Sequence, residues 1–162
     1  MKLLYYPNPK LREVAEPIDK FTPEIMTDLA QMFQLMLKNG GAGLAAPQVG
    51  INKRLIIVAV PGWQCMLGNP EIISFRGQQI DDEACLSVPK VKVLIYRAQD
   101  ITVRGLNEQN KIVEIKVSGF IARVLQHEID HLNGKLIVDY SQKFGGKSDN
   151  KKKKKSKSIR HE

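Results

Sequence analysis

Two of the three histidines in the chain lie four residues apart, within the segment QHEIDHLNGK at 126–135. On a helix, residues four apart differ by about 40° in azimuth and about 6 Å in rise, so His127 and His131 can face one point. Such a pair suits a divalent metal ion. Glu128 lies about 100° around the helix from His127, where its carboxylate can reach a water molecule beside the metal and act as a general base.

A catalytic metal site normally has three protein ligands and one open position, so a third ligand is needed. The metzincin peptidases continue the motif as HExxHxxGxxH, but the chain has Gly134 followed by Ile137 where that histidine belongs. His161 lies in a lysine-rich segment and is a poor candidate. Cys85, within DEACLSVP, could supply a thiolate, and a carboxylate such as Glu83 is an alternative.

A third unusual segment, GGAGLAAPQVG at 40–50, is rich in glycine and alanine. These small residues let another backbone approach closely, and Gln48 offers an amide donor in apolar surroundings. The alternative is a flexible turn with a surface glutamine. The segment does not match a phosphate-binding loop, because no GK[ST] follows it.

The segments around these motifs predict two helices. The first starts with Thr22 as N-cap and Pro23 in the first turn, and ends at Asn39. The second covers SGFIARVLQHEIDHL, with Ser118 as N-cap and with Asn133 and Gly134 as its stop. Its Phe120, Ile121, Val124, Leu125 and His131 lie near one stripe.

Five short β-branched runs lie between the two predicted helices, and turn-forming residues separate them. The runs are too closely spaced for parallel strands with crossover helices, which favours antiparallel pairing. We therefore predict an α+β fold with an N-terminal helix and antiparallel β-sheets packed around a central HExxH metal-binding helix. The runs are RLIIVAV, LGNPEIISF, VKVLIY, DITVRGL and KIVEIKV.

The net charge of +8 is unevenly distributed along the 162 residues. Residues 141–162 hold nine Lys or Arg against Asp149 and Glu162, a balance of +7 that leaves about +1 for residues 1–140. We expect a single catalytic domain over 1–143 and a disordered Lys-rich tail over 144–162. No apolar run is long enough for a membrane helix, so a cytoplasmic protein is expected.

The three motifs together resemble those of the peptide deformylases. That family carries GxGxAAxQ, EGCLS and HExDH in this order, and the chain has GAGLAAPQ at 41–48, EACLS at 83–87 and HEIDH at 127–131. Ala84 stands where the family has glycine, which would narrow the site slightly or strain the loop if that position has a positive φ. Asp130 matches the family pattern, either as support for the metal site or as a surface charge.

The resemblance implies a set of metal ligands and a cofactor. Cys85, His127 and His131 would bind one divalent ion, Fe(II) in many native enzymes, with Zn, Ni or Co able to take its place. The thiolate would make the ion a weaker Lewis acid than a third imidazole would, so the identity of the metal should matter.

The resemblance also implies a reaction and the residues that perform it. Glu128 would take a proton from the attacking water and deliver it to the leaving amine. The side-chain amide of Gln48 and the backbone N–H of Leu86 would hold the formyl oxygen as it becomes negatively charged. The reaction is hydrolysis of the N-formyl group from the N-formylmethionyl peptides of nascent chains, which releases formate.

We expect the substrate to lie between two of the motifs. Ala42 and Gly43 would face a peptide that runs extended beside residues 41–44, and Val124 would form part of an apolar wall for the methionine side chain. The protein is expected to be a monomer whose lysine-rich tail either is solvated or binds ribosomal RNA. The alternatives are another small HExxH metallohydrolase, such as a peptidase, and a non-catalytic ribosome-associated module.

Overall fold

The computed structural model describes residues 1–144 of the chain, so all of the predicted lysine-rich tail after Phe144 lies outside the described residues. None of the helices in this part is long and apolar enough to span a bilayer. The elements are the helices α1 (Pro23–Lys38), α2 (Gly119–Leu132) and α3 (Ile137–Phe144), the 3₁₀ turns Pro9–Arg12 and Ala46–Val49, and the strands β1 (Gly43–Ala45), β2 (Leu55–Val60), β3 (Trp63–Arg76), β4 (Gln79–Cys85), β5 (Val88–Arg97), β6 (Asp100–Leu106) and β7 (Ile112–Ser118).

Every strand pair is antiparallel. Five strands form one sheet in the order β1-β2-β3-β6-β7, and β4 and β5 form a separate hairpin. The short connections between the strands leave no room for crossover helices, as their spacing in the sequence indicated. The predicted α+β class with antiparallel sheets is confirmed.

The N-terminal helix α1 forms where its capping signal predicts. The hydroxyl of Thr22 accepts a hydrogen bond from the backbone N–H of Ile25 at 3.2 Å, and Pro23 occupies the first turn. The helix ends at Asn39. Its buried face packs with β1 and β2 in a core cluster formed by Ile25, Leu29, Met32, Met36, Leu44, Leu55 and Ile57.

Helix α2 is buried on most of its circumference, and it packs on the sheet through Ala122, Leu125 and Leu132. Ser118 occupies the predicted N-cap position, although its hydroxyl donates to Asp100 at 2.7 Å and makes no capping bond. One detail of the prediction for this helix is wrong: Phe120, expected on the apolar stripe, is 60% exposed. The buried stripe instead includes polar side chains, which is unfavourable unless each finds a partner.

The sequence interpretation missed β1, β4 and α3. Strand β1 has three residues and shows no alternation, and α3 is an eight-residue helix. Strand β4 carries three successive acidic residues, which are uncommon in strands. It is a hairpin strand with one exposed face, and Glu83 and Cys85 point inward. The segment after Pro61, which had no assigned role, is the start of β3.

The end of α2 is held against the N-terminal arm of the chain. Gly134, just after the helix, has φ +75°, and a Cβ at this position would collide with the backbone carbonyl of Arg12. The Arg12 side chain donates to the Gly134 carbonyl at 3.1 Å and pairs with Asp139 at 2.7 Å. Only glycine satisfies both the left-handed backbone and the close approach.

We predict that Gly134→Ala lowers the free energy of unfolding by about 3 kcal/mol or more, because backbone strain and overpacking each cost about 1–3 kcal/mol. Gly62→Ala is the matched control, since Gly62 also has a positive φ, of +80°, but no atom of residues 1–144 lies within 4 Å of an added methyl group. It should lose about 1 kcal/mol. Urea denaturation of both variants measures the difference, and equal losses would contradict the close-contact argument.

Candidate metal centre

Three potential ligands for one ion converge where the β4–β5 hairpin meets α2. The Sγ of Cys85 and one ring nitrogen each of His127 and His131 all lie within 4.8 Å of one another. Cys85 Sγ is 3.4 Å from His131 Nε2, and the two rings are 5.0 Å apart at 61°. Two donors bound tetrahedrally to one ion at about 2.0–2.3 Å are about 3.6 Å apart. The donor set therefore fits a single small divalent ion.

Glu83 is not part of this donor set, although the sequence allowed it as an alternative third ligand. Its Oε1 accepts a hydrogen bond from His127 Nδ1 at 2.8 Å, behind the ring. Because a carboxylate can only accept here, Nδ1 carries the proton and Nε2 keeps its lone pair for a metal. By contrast, His131 Nδ1 is buried and bonds to no residue of the described chain. His127 is thus the more firmly oriented ring.

Two guanidinium groups hold Glu83 in its ionised form. Arg97 donates to both carboxylate oxygens at 2.8 Å, and Arg123 donates to Oε2 at 2.6 Å. Burial alone would raise the pKa of Glu83, but the hydrogen bonds from Arg97 and His127 lower that pKa well below its ordinary value. Glu83 therefore remains a carboxylate that can orient His127 throughout the ordinary pH range.

Glu128 occupies a different environment from Glu83. It is 4% exposed, and burial raises the pKa of its carboxyl group to about 7. Its Oε1 is buried and has no hydrogen-bond partner in the described part of the chain. A carboxylate oxygen left in this state normally binds a water molecule or a ligand atom. The geometry and the pKa suit a group that accepts and releases a proton near neutral pH.

Gln48 is buried, at 1% exposure, so the alternative of a surface glutamine is wrong. Its Oε1 accepts from the backbone N–H of Ala45 at 2.9 Å, and its Nε2 donates to Ser87 Oγ at 3.1 Å. These contacts fix which end of the amide is which. The NH₂ group therefore faces the site, 3.8 Å from Cys85 Sγ.

One cavity of about 310 Å³ is lined by all of the predicted site residues except His131. It contains the candidate base, the amide donor and Leu86, which follows Cys85 in the turn of the hairpin. Ala84 also lines it and is not among the residues with positive φ, so alanine narrows the entrance without straining the backbone. The wall is completed by Ala42, Gly43, Phe120, Arg123 and Val124.

Asp130 supports this site, one of the two alternatives left open for it. Its Oδ2 accepts from Arg97 at 2.7 Å and from the hydroxyl of Tyr140 at 2.6 Å. The sequence interpretation did not identify Arg97 or Tyr140. The one available signal was the aspartate within HEIDH, which needs a buried cation nearby to be stable in that position.

A Cys-His-His donor set beside a buried HExxH glutamate and an oriented amide defines a metal-dependent hydrolase. The family model for polypeptide deformylase matches residues 1–146. The chain belongs to the polypeptide deformylase family, and it hydrolyses the N-formyl group from nascent polypeptides with the help of a divalent metal ion. The family resemblance found in the three motifs is confirmed.

Individual relatives support the same conclusion. The peptide deformylase of Carboxydothermus hydrogenoformans is 46% identical over 138 residues, which cover 85% of this chain and 91% of the relative. The crystal structure of a peptide deformylase from Legionella pneumophila has a TM-score of 0.83 and 42% identity, over 85% of this chain and 83% of that one. A Met-Ala-Ser-bound peptide deformylase structure from Acinetobacter baumannii has a TM-score of 0.81 and 35% identity, over 86% and 96% of the two chains.

Gly43 limits the position of Glu128. We predict that Gly43→Ala lowers kcat/KM for deformylation by about 100-fold, because a small misplacement of a reacting group can reduce the rate by this much. An added methyl group would lie 2.6 Å from Glu128 Oε2 and 2.9 Å from Val124 Cγ1. Gly41→Ala is the control, because the three atoms nearest to its methyl group belong to the side chains of Leu86 and Met36, at 2.8–3.4 Å, and none belongs to Glu128. Formate release and metal content should be measured for both. Full activity in Gly43→Ala would contradict the packing argument.

Proposed function

We propose that Cys85, His127 and His131 are the ligands of the metal ion and that Glu128 is the general base and acid of deformylation. The convergence of the three ligand atoms within 4.8 Å beside the unpartnered Glu128 carboxylate oxygen carries this proposal. A divalent ion bound by these ligands would supply Lewis acidity, lowering the pKa of water and polarising the formyl carbonyl group.

Glu128 takes the proton from the attacking water and later delivers it to the leaving amine. The ionised form is the base, and the protonated form is the acid, so a pKa near neutrality serves both steps. Because Gly43 packs against the carboxylate so closely that an added Cβ would lie 2.6 Å from Oε2, the carboxylate has little freedom to move toward β1. The two products are formate and a peptide with a free amino terminus.

Gln48 and Leu86 stabilise the negative charge that develops on the formyl oxygen. The Gln48 amide nitrogen has two hydrogens: one is donated to Ser87 Oγ at 3.1 Å, and the other makes a long 3.8 Å contact with Cys85 Sγ that a formyl oxygen can replace. The backbone N–H of Leu86 is the second donor, from the turn that also positions Cys85. Each such donor contributes about 3 kcal/mol to transition-state stability in comparable sites.

The substrate peptide binds in an extended conformation beside β1. This strand lies at the edge of the five-stranded sheet and pairs with β2 on one side only, so its other edge can accept an added strand. Ala42 and Gly43 line the cavity at that edge, and Val124 provides an apolar wall for the methionine side chain. The structure of the Acinetobacter baumannii relative with bound Met-Ala-Ser supports a peptide ligand at this site.

We propose Fe(II) as the native ion, with Zn, Ni or Co able to replace it. A ligand set of two imidazoles and one thiolate accepts all of these ions. The thiolate donates more charge than an imidazole, so a zinc ion in this site should be a poor Lewis acid. The cysteine and Fe(II) are both sensitive to oxidation, which would make the iron form lose activity in air.

Glu128→Gln should retain bound metal and lose formate release by at least about 100-fold, because the variant keeps the shape but cannot accept a proton. The assay measures formate released from formyl-Met-Ala-Ser by the metal-loaded full chain. Glu114→Gln is the matched control, since Glu114 is an exposed glutamate on β7 that should leave activity unchanged.

The same assay tests the ligands and the ion. Cys85→Ser should bind the ion more weakly, and anaerobic Fe(II) protein should exceed Zn(II) protein in activity. Deformylation by Glu128→Gln at the wild-type rate would refute the proposed base. The absence of formate from metal-loaded wild-type protein would favour the non-catalytic alternative.

We also propose that residues 1–143 are the catalytic domain of a cytoplasmic monomer and that the lysine-rich segment 144–162 contacts ribosomal RNA. The concentration of positive charge in that segment and the nascent-chain substrate support the proposal. Binding through lysine–phosphate contacts falls steeply as salt rises. Deletion of 147–162 should therefore abolish co-sedimentation with ribosomes at low salt and leave formate release intact, and unchanged co-sedimentation would refute the contact.

A further inference from the structure

Helix α3 packs against the hairpin that supplies Cys85. A small buried core joins the two elements, and it is separate from the cores beneath α1 and beneath α2. Helix α3 follows α2 after only four residues, so it can reach both the hairpin and the end of the metal-binding helix. The shared core consists of Cys85, Val88, Val93, Ile95 and Ile137, with Val91, Val138 and Tyr140 packed against it.

Tyr140, on α3, bonds to two charged residues behind the metal centre. Its hydroxyl donates to Asp130 Oδ2 at 2.6 Å and accepts from Arg97 Nη1 at 3.1 Å. Arg97 Nη1 also donates to Asp130 at 2.7 Å. The ring lies 4.9 Å from the Arg97 guanidinium carbon and 4.5 Å from the Lys135 ammonium nitrogen, both favourable cation–π distances. Asp130 on α2 and Tyr140 on α3 thus together hold the Nη1 end of the Arg97 guanidinium group.

The other end of the Arg97 guanidinium binds Glu83. Nη2 donates to Oε1, the oxygen that accepts from His127, whereas Arg123 binds the other oxygen, Oε2. A guanidinium group is planar and rigid, so a rotation that moves Nη1 also moves Nη2. The contacts of Nη1 with Asp130 and Tyr140 therefore determine where Glu83 Oε1 lies, and with it the orientation of the His127 ring.

We infer that Tyr140 and Asp130 are positioning residues for the metal ligand His127, acting through Arg97 and Glu83. The inference rests on the proposed assignment of His127 as a ligand and extends it to a helix outside the three motifs. Every step is a hydrogen bond of 3.1 Å or less; the side chains of Glu83, Arg97 and His127 are buried, and those of Asp130 and Tyr140 are partly buried. Outer contacts of this kind change metal affinity by about 10–100-fold when removed.

The test is the rate at which metal-loaded full-length protein releases Ni(II) to an excess of chelator. Tyr140→Phe removes both hydroxyl bonds and keeps the ring, and Asp130→Asn removes the charge that holds Arg97. Both variants should release the ion about 10-fold faster than wild type. The Co(II) forms of both variants should show shifted ligand-field bands, because the direction of the His127 donor changes.

Asp139→Asn is the matched control on the same helix. Asp139 pairs with Arg12 on the far side of α3 and has no bond to Arg97, so this variant weakens the attachment of α3 without touching Arg97. The ion pair is partly exposed, and its loss should change the release rate by less than about 2-fold. Equal acceleration in Asp139→Asn and Tyr140→Phe would overturn the inference, because attachment of the helix would then explain both.

A double variant separates a shared route from independent effects. If Tyr140 and Asp130 both act through Arg97, the combined Tyr140→Phe and Asp130→Asn variant should accelerate Ni(II) release by clearly less than the product of the two single effects. Wild-type release rates in both single variants would overturn the inference. Failure of the wild-type chain to bind one Ni(II) would instead refute the proposed metal site, so the two kinds of failure are distinguishable.

Discussion

The buried carboxylate of Glu83 is the group on which the geometry of the site depends. Taking an ionised carboxylate out of water costs several kcal/mol unless hydrogen bonds and opposite charges replace the lost solvent. Here His127, Arg97 and Arg123 replace it, and Asp130 balances the second guanidinium charge. The two arginines and two acidic residues sum to zero formal charge. Each group is stable in the interior only when the others are present, so the arrangement forms as a whole.

This network connects the elements that supply the metal ligands. Glu83 and Cys85 both point inward from β4, while Ala84 between them is exposed. The contacts that fix Glu83 therefore also fix the segment that presents the Cys85 sulfur. On α2, Arg123 and His127 lie one turn apart and both bind Glu83. A single carboxylate thus sets the position of the hairpin relative to the helix.

The sequence predicted the local parts of the site well and the distant parts poorly. His127 and His131 follow from helical spacing alone, and Gln48 and Cys85 from motifs that need no knowledge of the fold. The partners of Glu83 are 14, 40 and 44 residues away in the chain, and no local pattern connects them. Strand β4 was missed for the same reason. Its acidic run appears unfavourable until the arginines that neutralise Glu83 are known.

The arrangement of these partners also determines how much the stability of the fold depends on the bound metal ion. In a small zinc finger the ion holds the chain together, and much of the binding free energy goes into folding. Here three apolar cores and a neutral ion-pair network already hold the hairpin and α2 in place. Cys85 and His131 lie at a distance suitable for a shared ion, and Glu83 fixes the tautomer of His127. Because the protein itself supplies the ligand geometry, the binding free energy of the ion is available for affinity and catalysis rather than for folding.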